Sequence, residues 1–68
     1  MTDATYQKIQ LVGTSTKSLS DAISVAVAKA AEIIKNPTWF EVIEQRGAIS
    51  DGKVQQFQVT IVVGARIE

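Results

Sequence analysis

The stretch Thr38-Trp39-Phe40-Glu41-Val42-Ile43-Glu44-Gln45-Arg46-Gly47-Ala48-Ile49, then Ser50-Asp51-Gly52-Lys53, then Val54-Gln55-Gln56-Phe57-Gln58-Val59-Thr60-Ile61-Val62-Val63-Gly64-Ala65-Arg66-Ile67 decides the fold. Asp-Gly suits the positive-φ positions of a tight hairpin turn, and both flanks alternate with the period of two that marks a strand. Two long antiparallel strands are expected, spanning 38–49 and 54–67. In the first, Phe40, Val42, Glu44 and Arg46 alternate with Trp39, Glu41, Ile43 and Gln45. In the second, Phe57, Val59, Ile61, Val63, Ala65 and Ile67 face one way, while Gln56, Gln58, Thr60, Val62, Gly64 and Arg66 face the other. With Ser50 paired to Lys53, Gln45 falls opposite Gln58 and Trp39 opposite Gly64.

Upstream, Asn36-Pro37 closes a helix, because proline disfavours helical geometry in the residue before it and has no amide to donate. That helix is expected from about Leu19 to Lys35. Ser18 stands at the N-cap and Asp21 at N3, where a carboxylate suits the dipole. Leu19, Ala22, Ile23, Ala26, Val27, Ala30, Ile33 and Ile34 recur at three and four and form its buried stripe. Further upstream, Tyr6 to Val12 alternates with Ile9 and Leu11 on one side, which makes a first strand, and Gly13-Thr14-Ser15-Thr16 reads as the turn after it. The order is strand, helix, strand, strand: an α+β domain, 1–68, with a three-stranded antiparallel sheet packed on one helix and a flexible start at 1–4.

Sixty-eight residues make one small domain, with seven basic and seven acidic side chains, no His and no Cys. A chain of this size buries only about 60% of the surface its unfolded form exposes, so its own core is marginal. Cysteine absence removes disulfides and thiolate zinc, and histidine absence removes imidazole catalysis. A metal site would rest on carboxylates and carbonyls alone, so oligomerisation is the favoured remedy for small size. One helix cannot cover both sheet faces, and the uncovered one carries Trp39, Ile43 and Val62, which calls for other copies of the chain. Zero net charge with singly scattered basic residues argues against nucleic acid. No apolar run approaches a bilayer span and the start lacks a signal-peptide pattern, so a cytoplasmic location with no membrane partner is expected.

No catalytic constellation emerges. Glu41 and Glu44 fall on opposite faces of their strand and form no convergent carboxylate pair. Gly13-Thr14-Ser15 lacks the further glycines and lysine of phosphate-cradling loops. Trp39, the single tryptophan, can stack on a planar ligand, although a tryptophan packed in a subunit interface is the commoner use of such a residue. Gln58 shares its face and presents a donor beside an acceptor, as a flavin pyrimidine edge requires, although an ordinary strand glutamine is commoner. About six residues of strand, near 20 Å, separate the two, so they serve different purposes or the site is built from more than one chain. Arg46 and Arg66 can each hold a phosphate through their guanidinium forks, though such arginines are more often solvated.

Val12-Gly13-Thr14-Ser15, the helix after it, Trp39-Phe40-Glu41-Val42, Arg46-Gly47, Phe57-Gln58-Val59 and Val63-Gly64-Ala65-Arg66-Ile67-Glu68 stand in an order and spacing that resembles the dodecin family, over about Thr5 to Glu68. The resemblance implies a β-α-β-β subunit in a hollow homododecamer that stores or buffers flavin, typically FMN in bacterial members, with riboflavin or FAD as alternatives. It implies no enzyme activity. Trp39 matches the tryptophan that stacks on the isoalloxazine, and Gln58 the glutamine that hydrogen-bonds the ring, with two flavins held between tryptophans of different subunits. Arg46 matches an arginine near the flavin and Glu44 an acidic position lining the pocket. Some bacterial members also bind coenzyme A, and Lys29 and Arg66 occupy positions where basic residues meet it. Ala65 departs from a usual Phe, and Asn36-Pro37-Thr38 from the usual approach to the tryptophan. The rival readings are a structural or coenzyme A-binding shell with flavin incidental, and a flavin-dependent redox enzyme.

Overall fold

The computed structural model describes residues 3–67, and all four expected elements are present: β1 Thr5–Ser15, α1 Leu19–Ile33, β2 Pro37–Ser50 and β3 Lys53–Ile67. Met1 and Thr2, half of the expected flexible start, and Glu68, the end of the family-like motif, lie outside the described residues. The sheet order is β1-β3-β2, with both pairings antiparallel. β3 takes the centre because it carries the densest β-branched run, Val59 to Val63, which is buried throughout. Val59, Ile61 and Val63 are its largest fully buried side chains, and they meet Ala22, Ala26 and Ala30 of α1.

The first correction concerns Gly13-Thr14-Ser15, which is the end of β1 rather than a turn. Gly13 pairs with Val59, and its missing side chain lets the helix settle on the strand. A Cβ built there would collide with the Ala22 carbonyl oxygen and come within 2.8 Å of the Ala26 Cβ. Ser15 then organises the connection: its hydroxyl donates to Asp21 Oδ2 at 2.7 Å and accepts from the Lys17 amide at 2.9 Å. The expected cap forms, with Ser18 extended and its Oγ accepting from the Asp21 amide at 2.9 Å.

α1 stops at Ile33, two residues before the expected end. Ile34 is already extended, though its amide still donates to the Ala30 carbonyl at 2.9 Å. Asn36 takes a left-handed φ of 54° to turn the chain into Pro37. Ile33, expected in the buried stripe, lies at the frayed edge of that stripe and is exposed.

A second correction concerns coverage. The helix packs on β1 and β3 and barely reaches β2, so Phe40 and Val42 lie on the helix side yet remain exposed. Fifteen residues of helix are about 22 Å long, against a subunit length of 57 Å. The β2–β3 hairpin therefore projects beyond its cover, and Ile49 and Val54 near its tip are exposed. The tip itself is as expected, with Asp51 and Gly52 at φ 53° and 73°. Among the described residues no helix is long and apolar enough to cross a membrane.

Candidate functional site

Residues paired across an antiparallel ladder point to the same face, so register decides which candidates share a surface. The β2–β3 ladder contains three irregularities, one between Pro37 and Trp39 and two that compensate each other. Ile49 pairs with Val54 but Ala48 with Gln56, leaving Gln55 as an extra residue on β3. Farther on, Glu44 pairs with Thr60 but Val42 with Ile61, leaving Ile43 as an extra residue on β2. Between these two bulges the ladder is shifted by one residue. Gln58 therefore lies opposite Arg46, not Gln45, while Trp39 lies opposite Gly64 as expected.

A shift of one residue moves a side chain to the other face. Arg46 and Glu44, expected on the helix side with Phe40 and Val42, instead share the open face with their partners Gln58 and Thr60. Gln45, expected beside Trp39, pairs with Val59 on the helix side and lines a shallow groove with Leu19 and Phe57. Glu41 and Glu44, expected on opposite faces, are both on the open face, opposite Val62 and Thr60. Trp39, Glu44, Arg46 and Gln58 thus stand on one surface. Glu44 lies between the Trp39 end and the Arg46–Gln58 end.

Trp39 is held in a defined pose. Its indole lies across the Cα of Gly64: a Cβ built there would collide with Cε2 and Cζ2 and come within 2.7 Å of Cδ2. The Thr38 hydroxyl donates to the Gly64 carbonyl at 3.2 Å and ties the two strands together beneath the ring. From β1, which pairs with β3 so that Lys8 faces Gly64 and Tyr6 faces Arg66, two side chains reach the indole. The Tyr6 ring is 6.4 Å away and tilted by 45°, and the Lys8 ammonium is 5.9 Å from the ring centroid. Trp39 remains 39% exposed, so one indole surface rests on the sheet while the ring stays accessible to a flat partner.

At the other end, the Gln58 amide donates from Nε2 to Gln56 Oε1 at 2.9 Å. Gln58 and Gly64 are six positions apart on β3, about 20 Å of strand, so Trp39 and Gln58 of one copy do not meet. Arg66 stands at the Trp39 end, opposite Tyr6. Lys29 is elsewhere, on the exposed side of α1, with its ammonium 3.2 Å from Glu32. The structure brings Arg46 and Gln58 together, and leaves Lys29 apart from every other candidate. Tyr6, Lys8 and Gln56 were missed in the sequence. Alternation with Ile9 and Leu11 already places Tyr6 and Lys8 on the outward side of β1, but only the strand order β1-β3-β2 brings them to the tryptophan. Ala65, one of the two departures noted above, is buried between Gln7 and Pro37.

The pose of Trp39 is open to direct test. Gly64→Ala is expected to lift the indole off the strand, costing about 1–3 kcal/mol of stability by overpacking. Because the chain has one tryptophan, the shift of its fluorescence emission toward that of a solvated indole reads the displacement without interference. Unchanged emission and an unchanged unfolding midpoint would show that the ring does not rest on Gly64.

Known proteins resemble this chain in sequence and fold. The family model described as Dodecin matches residues 5–68. A dodecin from Thermus thermophilus is 44% identical over 63 residues, which is 93% of this chain and 91% of the relative. Among solved structures, the dodecin from Streptomyces davaonensis superposes with a TM-score of 0.92 at 37% identity, covering 98% of each chain. A calcium-chelating antigen of Mycobacterium tuberculosis, called calcium dodecin, superposes with a TM-score of 0.80 at 28% identity, covering 94% of this chain and 91% of that one. The family model and the relatives cover nearly the whole chain, and the chain belongs to the dodecin family.

Proposed function

We propose that this protein is a flavin-binding storage and buffering protein that assembles as a hollow homododecamer and holds the isoalloxazine on Trp39 at contacts between subunits. The observation that carries this reading is the pose of Trp39, whose indole is fixed on Gly64 and still accessible. The residues fit the group: a planar tricycle needs an aromatic surface, and its pyrimidine edge needs a donor and an acceptor side by side. Trp39 supplies the first and Gln58 the second. Their separation of about 20 Å within one copy is accommodated when the two come from neighbouring subunits. The uncovered sheet face and the exposed apolar side chains of the β2–β3 hairpin support such an assembly.

In this site Trp39 binds by stacking, Gln58 selects by hydrogen bonding, and Arg46, its cross-strand neighbour, offers a guanidinium to a ligand phosphate. Glu44, two residues from Arg46 on the same face, lines the surface between them. When bound, a flavin supplies a chromophore whose excited state is quenched by electron transfer from an adjacent indole. Trp39 thereby protects both cofactor and cell from photochemistry. Nothing here requires a residue to act as acid, base or nucleophile, and the reading is of a binding protein, not an enzyme. FMN is the expected ligand, with riboflavin and FAD as variants of the same ring.

Coenzyme A binding draws less support, since Lys29 and Arg66 lie on different parts of the fold and Lys29 is engaged with Glu32. Calcium has no evident seat within one copy: among the described residues no group of three or more carboxylate, imidazole or thiol side chains is placed to hold a metal.

The test is a titration of FMN with the purified protein, followed by its fluorescence, together with the native mass. Flavin fluorescence is expected to fall to a small residual level, on a particle of twelve chains. Fluorescence that stays constant through a large excess of protein would sink the proposal.

A further inference from the structure

Within that reading, on which this inference rests, Gln58 must present the right edge of its amide. A glutamine carboxamide can turn over, exchanging its oxygen and nitrogen, and a side chain free to do so gains no selectivity between a ring edge that donates and one that accepts. Gln56 restricts that freedom: Gln58 can turn over with its hydrogen bond kept only if the Gln56 amide turns with it. The two glutamines occupy alternate positions of β3 and so share the open face, and Gln58 Nε2 donates to Gln56 Oε1 at 2.9 Å. Both side chains are half-buried, which strengthens the bond relative to an exposed one. In this arrangement Nε2 points to Gln56, and Gln58 turns Oε1 and its second N–H outward side by side. We propose that Gln56 is a positioning residue that sets the orientation of the Gln58 amide, and that it thereby selects ligands whose ring edge carries an imide N–H next to a carbonyl.

The oxidised flavin pyrimidine has that edge: its N3–H donates and the adjoining carbonyls accept. Gln58 Oε1 is assigned to N3–H, and the remaining Gln58 N–H to a neighbouring carbonyl. The role of Gln56 is to keep the acceptor where the N3–H arrives. It needs an accepting atom and nothing more, so a carboxylate at position 56 serves as well as an amide. A purely apolar side chain leaves Gln58 free to turn, and an ammonium, which can only donate, favours the reversed amide.

The experiment compares dissociation constants for riboflavin and its N3-methyl derivative, measured by fluorescence quenching, in the intact protein and four variants. The unsubstituted protein is expected to prefer riboflavin by about fivefold or more, the net worth of one hydrogen bond. Gln56→Leu should lose most of that preference, Gln56→Glu should keep it, and Gln56→Lys should abolish it. A side chain that only supports the local strand would change both affinities together and leave the ratio intact. Retention of the full preference in Gln56→Leu therefore overturns the proposal, as does its loss in Gln56→Glu. Gln58→Ala separates the two levels of inference. If it too leaves the preference unchanged, or if the unsubstituted protein binds neither flavin, the flavin reading of the site has failed. If Gln58→Ala loses the preference and Gln56→Leu does not, only the positioning role has failed.

Discussion

Trp39→Ala is expected to weaken FMN binding by roughly 10- to 100-fold, because one aromatic stacking contact is worth about 1–3 kcal/mol. The larger end applies if each site engages tryptophans of two subunits, since one substitution then removes both surfaces. The fold should survive. Trp39 is 39% exposed and lies on the open face, outside the cluster that Val59, Ile61 and Val63 form with the helix alanines. Its removal uncovers Gly64 and frees Tyr6 and Lys8, none of which belongs to that cluster. Trp39→Phe keeps a flat apolar ring on Gly64 and should retain an intermediate affinity. It should quench flavin emission less completely, because benzene is a poorer electron donor than indole. The measurement is the same fluorescence titration, checked against an unchanged native mass. An alanine variant that binds within threefold of the parent would show that the indole is an interface residue and that stacking lies elsewhere.

The residues that make this prediction possible were unevenly legible. Trp39 opposite Gly64 followed from the Asp51-Gly52 turn and simple counting, and the structure agrees. Gln58 opposite Gln45 followed from the same counting and is wrong. The two bulges cancel, so pairing is as counted at the tip and again from Val42 to Trp39, is displaced by one in between, and shifts once more beyond Trp39, where Pro37 pairs with Ala65. Nothing local marks Gln55 or Ile43 as the extra residues. Neither is glycine, and each sits in a run whose alternation looks unbroken, because a bulge is set by how the long ribbon must twist against its neighbours. The consequence for the site is large, since the shift carries Glu44 and Arg46 onto the face of Trp39 and Gln58. Gly13 was misread for a related reason. A glycine before Thr and Ser has the composition of a turn, and only the position of α1 over β1 reveals it as a point of close packing. The N-cap, by contrast, depends on atoms three residues apart, and Ser18 and Asp21 were readable without tertiary information.

Gly13→Ala should be the most damaging single-methyl change in the chain, with an expected loss of about 3 kcal/mol, at the upper end of the range for overpacking. A domain of this length has a total stability on the order of 3–10 kcal/mol. The size of the effect follows from what the new Cβ meets. One obstacle is the Ala26 methyl at 2.8 Å, a side chain; the other is the Ala22 carbonyl oxygen, which belongs to the helix backbone and cannot rotate aside. Relief requires α1 to rise from β1, and the line of Ala22, Ala26 and Ala30 that seats it on Val59, Ile61 and Val63 would open with it. These alanines bury little area each, so their contribution depends on close approach, and a small displacement forfeits much of it. Trimming the side-chain obstacle with Ala26→Gly should restore only part of the loss. The carbonyl remains in the way, and a glycine in mid-helix itself costs about 1 kcal/mol. Urea unfolding at one fixed protein concentration, needed because association shifts the apparent midpoint, compares the parent, Gly13→Ala and the double variant. A Gly13→Ala midpoint equal to the parent's would mean that the helix does not rest on this strand. Full rescue by Ala26→Gly would mean that only the methyl contact matters, and that the helix backbone stands farther from β1 than the packing here requires.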